Sequence, residues 1–449
     1  RQDRSRRLSL PEAALSKAKA DAPEAEVARQ IYGAKAYWVL LALVTGLVAG
    51  ALSRMLGDGF AEPALQAASM IGGLWLNGLQ MTVIPLIVAL LITGIAKGAE
   101  AARAGRIGAR SVMWFVIVCS ASAIFGALLM PPMLELFPLP EEASEALRAG
   151  LAAIDPGATS DTVPAVADFF RTIVPRNVVG AASNGDVLPL VVFTLAFGLA
   201  LTRVETARRR TVVSFFEAIA DTLLVIIGWV LWIAPLGVFA LAFAVGGGAG
   251  GAAFAGLAHY IALVSALGIL VTLAGYVIAV TAGRVPLGTF TKAMIGPQAV
   301  AISTQSSLAS LPAMLAGARL MGVAERTADV TLPLAVALFR ATGPAMNVAV
   351  AIYIAHWLGV ELTPARLVAG TAVAAVVSYG AVSLPGQISF FTSIAPIAMA
   401  MGVPVAPLAL LAAVEMIPDI FRTVGNVTLD VAVTTAVDRG ETGQEPARA

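Results

Sequence analysis

Long apolar runs separated by short polar segments dominate the first 283 residues of the chain. A helix that crosses a bilayer needs about 20 predominantly apolar residues. Six runs predict such helices: 36–56, 66–96, 111–134, 187–202, 212–246 and 255–283. The fourth run is short, and we expect its helix to extend back through 169–186.

The segments between these runs alternate in charge. Four Lys or Arg residues oppose one Glu within 97–110, and the same ratio holds within 203–210. By contrast, 135–168 contains seven Asp or Glu residues, and 246–254 is uncharged. Because basic loops stay in the cytoplasm, the pattern predicts that the amino terminus lies on the cytoplasmic side. Residues 1–35 are charged, lack the apolar region of a signal peptide, and are expected to form a cytoplasmic extension.

Composition supports a membrane protein. Hydrophobic residues make up 58% of the 449 residues, charged residues only 13%, and the mean hydropathy is +0.86. Soluble domains usually contain about 25% charged residues, so the apolar surplus indicates a lipid environment. The net charge of +1 points to no particular partner, and no nucleic-acid partner is expected.

The sequence contains no pattern that favours an enzyme. The hydrolase motifs G-x-S-x-G and H-E-x-x-H are absent, and the two histidines, His259 and His356, lie in different segments without an obvious nucleophile. An intramembrane hydrolase is therefore disfavoured, and neither a cofactor nor a bound metal is predicted. Cys119 is the single cysteine, which excludes an intrachain disulfide.

Two apolar segments in the second half of the chain are interrupted by Ser, Pro and Gly. Segment 288–322 is interrupted within 303–312, and segment 366–403 within 378–386. Backbone freed from hydrogen bonding at membrane depth is tolerated only inside protein or beside a watery cavity. Paired breaks of this kind favour two re-entrant hairpins that form a transport site, and ordinary kinked spans are the alternative.

A polar stripe follows the last apolar run, which predicts a helix over about 406–437. At about 100° per residue, Asp419, Arg422, Thr423, Asn426 and Asp430 fall within roughly 60° of one line, and Glu415 precedes them by one turn. Charged side chains at bilayer depth cost about 3 kcal/mol or more each, so the stripe predicts a functional site. The alternative is a structural Asp–Arg pair.

These features together resemble the glutamate transporter family, the dicarboxylate/amino acid:cation symporters, over most of 36–438. The similarity rests on the serine-rich segment 292–315, on 378–386, and on the pattern D-x-x-R-T-x-x-N-x-x-x-D over 419–430. It implies an all-α polytopic protein of a bacterial inner (plasma) membrane, with eight transmembrane helices and two re-entrant helical hairpins. It further implies a homotrimer in lipid, whose transport domains move as elevators against a scaffold.

The resemblance also implies a division of the chain. Helices 1–2 of the scaffold would occupy 36–110, helix 3 of the transport domain 111–137, and an extracellular loop with scaffold helices 4–5 residues 138–246. Residues 247–438 would complete the transport domain with helix 6, hairpin 1, helix 7, hairpin 2 and helix 8. Residues 439–449 would form a cytoplasmic tail.

The substrate implied by the resemblance is L-aspartate or L-glutamate. Arg422 would bind the side-chain carboxylate, Asp419 would accept the α-amino group, and Thr423 and Asn426 would contact the amino and α-carboxylate groups. Paired guanidinium hydrogen bonds suit a carboxylate, and a neighbouring Asp selects a cationic amine. The remaining expected binding residues lie at the hairpin tips and on the seventh helix: Gln305, Ser306, Ser307, Gly343, Leu384 and Ile388.

The chain departs from the family at the positions that imply sodium binding. Where the family carries Asn-Met-Asp-Gly-Thr in its unwound seventh helix, this chain has Phe-Arg-Ala-Thr-Gly over 339–343. Tyr, Thr and Ser ligands on the third helix align with Phe115, Val118 and Cys119. Sodium is a hard cation that requires oxygen ligands. We therefore expect sodium-independent transport in which Arg340 replaces the cation, pairing with Asp430, Asp419 or nearby carbonyls; a solvated Arg340 is the alternative.

Coupling to protons is left open by the sequence. An acidic residue that carries protons in some relatives aligns with Asn347, so protons would have to bind Glu415 or Asp430, or transport would be uncoupled. A proton-coupled dicarboxylate or amino acid symporter is therefore an alternative. A substrate-gated anion channel or a sensor on the same fold is another, because both would retain the binding residues.

Overall fold

A computed structural model describes residues 38–53, 55, 58–103, 105–152, 173–249, 252–379 and 386–442. Their regular structure is helical and contains no strand, which confirms the predicted all-α class. The predicted N-terminal extension, most of the C-terminal tail, and the tip of the second interrupted segment at 380–385 lie outside the described residues.

The helices up to residue 249 are α1 Trp38–Ser53, α2 Asp58–Arg103, α3 Arg106–Leu136, α4 Glu141–Ala152, α5 Val178–Asn184, α6 Val187–Leu201, α7 Thr206–Trp232 and α8 Ala234–Ala249. Helix α2 packs against α6, α7 and α8. Helix α1 approaches α8 at Gly50, where an added Cβ would lie 2.1 Å from the carbonyl oxygen of Phe243. Only glycine allows the two backbones to come this close.

Two predicted runs are divided in the structure. The run 212–246 breaks at Ile233, between α7 and α8, because Pro235 lacks an N–H and its ring crowds the preceding turn. The fourth run does not extend back as one helix. Gly185 ends α5 in the left-handed conformation, with φ of 76°, before α6 begins. Residues 169–172 of that prediction lie outside the described residues.

The remaining helices are α9 Ala252–Thr281, α10 Leu287–Thr304, α11 Ser307–Leu320, α12 Glu325–Leu338, α13 Thr342–Leu358, α14 Pro364–Ser378, α15 Gly386–Ala400, α16 Ala406–Leu411 and α17 Met416–Thr442. Helix α17 is central to this half of the protein: it packs along α9 and also contacts α3, α10, α11 and α12. Helix α13 lies along α3.

The predicted continuous helix over 406–437 is wrong. Helix α16 ends at Leu411, and α17 begins only at Met416. Pro418 explains the break, because its ring would collide with the carbonyl group four residues earlier in an unbroken helix. The break places Glu415 immediately before α17, at the start of the polar stripe.

Five helical stretches of the described residues are long and apolar enough to cross a membrane: Ala61–Arg103, Arg106–Leu136, Thr206–Trp232, Phe254–Thr281 and Glu325–Leu358. The last includes α12, α13 and the break between them. Shorter apolar helices occur as well, among them α1, α6 and α14. The architecture is that of a helical membrane protein.

Candidate functional site

The site is built around the break between α12 and α13, at residues 339–341. Pro344 explains the break, since it cannot donate to the carbonyl of Arg340 and would clash with it in a continuous helix. Neighbouring helices take up the freed backbone groups. Ser122 on α3 donates to the carbonyl of Ala341 at 2.5 Å, and the N–H of Thr342 donates to Asn426 Oδ1 on α17 at 2.9 Å. Backbone freed at membrane depth requires such partners.

Arg422 on α17 lies between two carboxylates. Its Nη1 atom forms ion pairs with Glu415 and with Asp419, the latter at 3.2 Å. Tyr260 on α9 donates to the second oxygen of Glu415 at 2.9 Å. Only 8% of the Arg422 side chain is exposed, and its Nε and Nη2 atoms have no hydrogen-bond partner among the described residues. Buried N–H groups are normally paired, so two donors are available for a ligand.

A cavity opens beside this arginine. Its lining brings together two guanidinium groups, two amides, three hydroxyls and one glycine: Arg340, Gly343, Asn347, Ser378, Ser389, Ser393, Arg422 and Asn426. These groups come from the helix break and from α13, α14, α15 and α17. A small cavity with convergent donors and two positive charges suits an anionic ligand.

An apolar cluster lies behind the helix break. The rings of Phe115 and Phe339 are stacked, and Cys119 and Ala341 are buried in the same cluster. None of the four side chains carries an oxygen atom. These four side chains therefore provide no oxygen ligands for a hard cation.

Arg340 lies within electrostatic range of Asp419 and Asp430. The direct pairing expected from the sequence does not occur among the described residues. Arg340 Nε and both carboxylate oxygens of Asp430 are buried without a hydrogen-bond partner there. The charges therefore interact through space, and the guanidinium lines the cavity instead.

Comparison with known proteins agrees with this architecture. Residues 36–440 match the family model of the sodium:dicarboxylate symporter family. The chain belongs to this family. It is therefore a secondary transporter and a multi-pass protein of the plasma membrane.

Several curated relatives match this chain along most of their length. The proton/glutamate-aspartate symporter of Escherichia coli K12 is 25% identical over 423 residues, which cover 90% of this chain and 92% of the relative. The proton/sodium-glutamate symport protein of Bacillus subtilis is 27% identical over 416 residues, covering 92% and 94%. The C4-dicarboxylate transport protein of Laribacter hongkongensis is 25% identical over 440 residues, covering 92% and 91%.

The structure brings part of the predicted site of this symporter together. Arg340, Gly343, Arg422 and Asn426 line the cavity. Three predicted residues are buried next to it without being among the lining side chains: Asp419, Thr423 and Glu415. Asp430 is buried one turn beyond Asn426 on α17, and its carboxylate faces Arg340 electrostatically.

The predicted residues of the first hairpin are not among the residues that line this cavity. Gln305 forms the turn between α10 and α11 in the left-handed conformation, with φ of 50°. Ser306 caps α11 by accepting from the N–H of Ala309, and Ser307 begins that helix. None of the three lines the cavity as the described residues form it. Leu384 lies outside the described residues, and Ile388 belongs to the first turn of α15.

Sequence reasoning did not place three serines in the site, although they line the cavity. Ser389 and Ser393 are four residues apart on α15 and therefore share one face of the helix. This spacing within an otherwise apolar helix was a usable signal. Ser378 ends α14 opposite them, and its hydroxyl donates to the carbonyl of Ala374 at 2.7 Å.

Proposed function

We propose that this symporter carries acidic amino acids, aspartate or glutamate, without sodium. The observation that carries the proposal is the state of Arg422, whose Nη1 is held by Asp419 and Glu415 while Nε and Nη2 are without partners among the described residues. A guanidinium anchored at one nitrogen and open at two presents a fork to a carboxylate. The anchoring carboxylates fix its orientation before the substrate arrives.

Asp419 favours an amino acid over a plain dicarboxylate. Its carboxylate is next to the guanidinium that would bind the substrate's side chain, so it is placed to accept the α-ammonium group. A plain dicarboxylate has no cation to offer, and its second carboxylate would approach Asp419 unfavourably. Asn426 and the serines of α15 supply neutral polar groups for the α-carboxylate. This chain is similar to relatives named for glutamate-aspartate and to relatives named for C4-dicarboxylates, and Asp419 supports the amino acid alternative.

Sodium independence is supported by the Phe115–Phe339 stack and by Arg340. The aromatic rings occupy the position at which the family resemblance implies oxygen ligands. Arg340 supplies a permanent positive charge near Asp430, which would otherwise lie buried as an isolated anion. An isolated buried carboxylate is costly, and a nearby fixed cation offsets part of that cost without an ion from solution. Arg340 would thus replace the coupling cation.

The same proposal includes an elevator mechanism in a homotrimer, with eight transmembrane helices, two re-entrant hairpins and both termini in the cytoplasm. Helices α10 and α11 pack against each other across a two-residue turn, as a hairpin requires. Trp229 and Trp232 on α7 are about two-thirds exposed, at 69% and 68%. Exposed aromatic residues suit lipid or a neighbouring subunit.

Counterflow in proteoliposomes tests this function. Vesicles loaded with unlabelled aspartate in choline buffer should accumulate external labelled aspartate, and vesicles loaded with leucine should not. Accumulation requires alternating access of one site to both sides of the membrane, which neither a sensor nor an open channel provides. Absence of counterflow together with preserved aspartate binding would favour the sensor, and an aspartate-gated chloride current without counterflow would favour the channel.

A further inference from the structure

Resting on the proposed function, we propose that Glu415 is the group that takes up a proton when substrate binds and that carries this proton across the membrane with it. Two of the relatives reported above are named proton symporters, and the inference adds the residue of this chain that binds the proton. It follows from how Glu415 is buried, from the charges that surround it, and from a line of polar side chains that leads away from it.

Glu415 is enclosed and held at both carboxylate oxygens. Its side chain is 1% exposed, one oxygen pairs with Arg422 Nη1, and the other accepts from the Tyr260 hydroxyl. The other charged groups that act on this cluster are Asp419 on α17 and Arg340 at the helix break. Helices α8 and α15, which pack against α16 just before Glu415, contain no titratable side chain.

Counting charges shows why substrate would bring a proton. Three carboxylates, those of Glu415, Asp419 and Asp430, share the buried region with two guanidinium groups, Arg340 and Arg422. With all five ionised, the region carries one net negative charge. An acidic amino acid adds another, because it has two carboxylates and one ammonium group. Uncompensated charge is expensive in a buried site, and Phe115, Cys119, Phe339 and Ala341 supply no side-chain oxygen for a metal cation.

Competition for Arg422 selects Glu415 as the acceptor of the proton. In the empty site Arg422 compensates the charge of Glu415. A substrate carboxylate bound at Nε and Nη2 would share that compensation, which weakens the hold of Arg422 on Glu415. Asp419 would instead gain the substrate's ammonium group as a partner. Asp430 faces Arg340 rather than Arg422, so it gains no new competitor for its cation.

A line of hydroxyl and imidazole groups leads from Glu415 toward the surface. The Tyr260 ring meets the Tyr353 ring edge-on, with centroids 5.4 Å apart, and Tyr353 Oη lies 3.1 Å from His259 Nδ1. His259 Nε2 lies 2.8 Å from the carbonyl oxygen of Phe137, which can only accept, so Nε2 carries a hydrogen. The Tyr353 hydroxyl donates its own hydrogen to the carbonyl of Gly256 at 3.0 Å, so its oxygen can accept a hydrogen from His259 Nδ1. His259 is partly exposed, and it is therefore the entry point.

The proton reaches Glu415 through the hydrogen bond that the Tyr260 hydroxyl already donates to it. The Tyr260 O–H bond breaks as its proton moves to Glu415, where a carboxyl O–H bond forms. A proton from solution restores the Tyr260 O–H bond, so the net step moves one proton from solution to Glu415. Glu415 then donates back to Tyr260. One substrate anion and one proton cross together, and the amino acid cycle moves no net charge.

Proton uptake on binding can be measured directly. Aspartate is titrated calorimetrically into the purified, detergent-solubilised protein in two sodium-free buffers with different enthalpies of protonation. We expect about one proton taken up per aspartate bound, and an affinity that rises as the pH falls, by up to tenfold per pH unit. Binding with no proton uptake would overturn the inference and leave the proposed function standing. Absence of any binding would instead count against the proposed function.

Substitutions identify the residue that takes up the proton. Glu415→Gln should bind aspartate with altered affinity but with no proton uptake and no pH dependence, whereas Glu361→Gln, at an exposed loop position, should behave as the wild type. Proton uptake that persists in Glu415→Gln and disappears in Asp430→Asn would overturn the assignment. If Glu415→Gln does not bind aspartate, Glu415→Asp is measured instead. The pH dependence of its aspartate affinity should shift relative to the wild type, and an unshifted pH dependence would contradict the proposal.

The route has its own test. Tyr260→Phe removes the hydroxyl that contacts Glu415 but retains the ring. We expect the number of protons bound per aspartate to stay close to the wild-type value. The rate of aspartate transport driven by a pH gradient should fall at least tenfold. Unchanged gradient-driven uptake would exclude Tyr260 as the inner relay.

Discussion

The aromatic rings of Phe115 on α3 and Phe339 at the helix break lie 4.5 Å apart between centroids, with only 13° between their planes. The stack joins two segments that are more than 200 residues apart in the chain. It seals one side of the break with carbon atoms, while the other side opens into the cavity lined by Arg340. A single backbone break therefore presents an apolar face to α3 and a cation to the cavity.

The stack predicts that sodium has little effect on substrate affinity. An ion that stabilises the substrate-bound state must raise substrate affinity reciprocally, and the stacked rings of Phe115 and Phe339 offer that ion no oxygen ligand. Aspartate affinity, measured at constant ionic strength with choline in place of sodium, should change less than threefold. An aspartate affinity that is tenfold higher in sodium buffer than in choline buffer, about 1.4 kcal/mol of coupling, would contradict the prediction.

Arg340→Met should weaken aspartate binding without creating sodium dependence. The substitution preserves an unbranched side chain but leaves Asp430 and its neighbours without their cation. A loss of about 2 kcal/mol or more is expected for removing one partner of a buried charge interaction. The matched control is Arg210→Met on the exposed start of α7, which should bind as the wild type does. Restored sodium dependence would show that the cation site was only masked by Arg340.

Arg422→Cys should remove the carboxylate fork. We expect affinity for aspartate to fall by about 2–4 kcal/mol, since truncating one partner of a buried charge pair leaves the other uncompensated. This corresponds to roughly 30- to 1,000-fold in the dissociation constant. Equilibrium binding of labelled aspartate measures it. Affinity within threefold of the wild-type value would show that the fork does not bind the substrate.

Asp419→Ala should separate amino acids from dicarboxylates. The α-ammonium of aspartate would be buried without a partner, so aspartate binding should be lost. Succinate has no ammonium group and should lose much less affinity. Parallel competition assays with both ligands give the comparison, and Asp221→Ala on the exposed face of α7 serves as the control. An equal loss for both ligands would mean that Asp419 only positions Arg422.

Glu441 at the end of α17 forms ion pairs with two arginines at the start of α3. Arg106 donates two hydrogen bonds to it, at 2.8 and 2.6 Å, and Arg110 donates one at 2.7 Å. The hydrogen bonds from Arg106, with the charges of Arg106 and Arg110, hold the pKa of this carboxyl below its ordinary value. A carboxyl with a lowered folded-state pKa stabilises the fold above its ordinary pKa. That contribution disappears as the pH falls through the lowered value.

Glu441→Gln should therefore reduce stability by about 1–3 kcal/mol at neutral pH and by less in acid. Thermal unfolding in detergent at pH 7 and at pH 4 measures both effects. Glu100→Gln, at an exposed position of α2, is the matched control. An equal reduction at both pH values would contradict the assigned role of the charge.

The pattern of residues along the chain was sufficient to predict the all-helical fold class and the polar helix face of the candidate site. The polar stripe from Asp419 to Asp430 was predictable, because a helix places residues three and four apart on the same side. The resemblance to an unwound segment implied the helix break at 339–341, and Pro344 is the local reason for it in the structure. The exact ends of the helices did not follow, since Pro235 and Pro418 interrupt runs that hydropathy alone treats as continuous.

What only the tertiary structure decided is which distant groups meet. The sequence by itself determined an all-helical membrane protein, two interrupted segments and a charged stripe, because these depend on local apolar content and helical period. It did not determine that Tyr260 binds Glu415, that Phe115 stacks on Phe339, or that Ser389 and Ser393 line the cavity. Those contacts depend on how α3, α9, α13, α15 and α17 pack, and no local period encodes the rotation and depth of one helix against another.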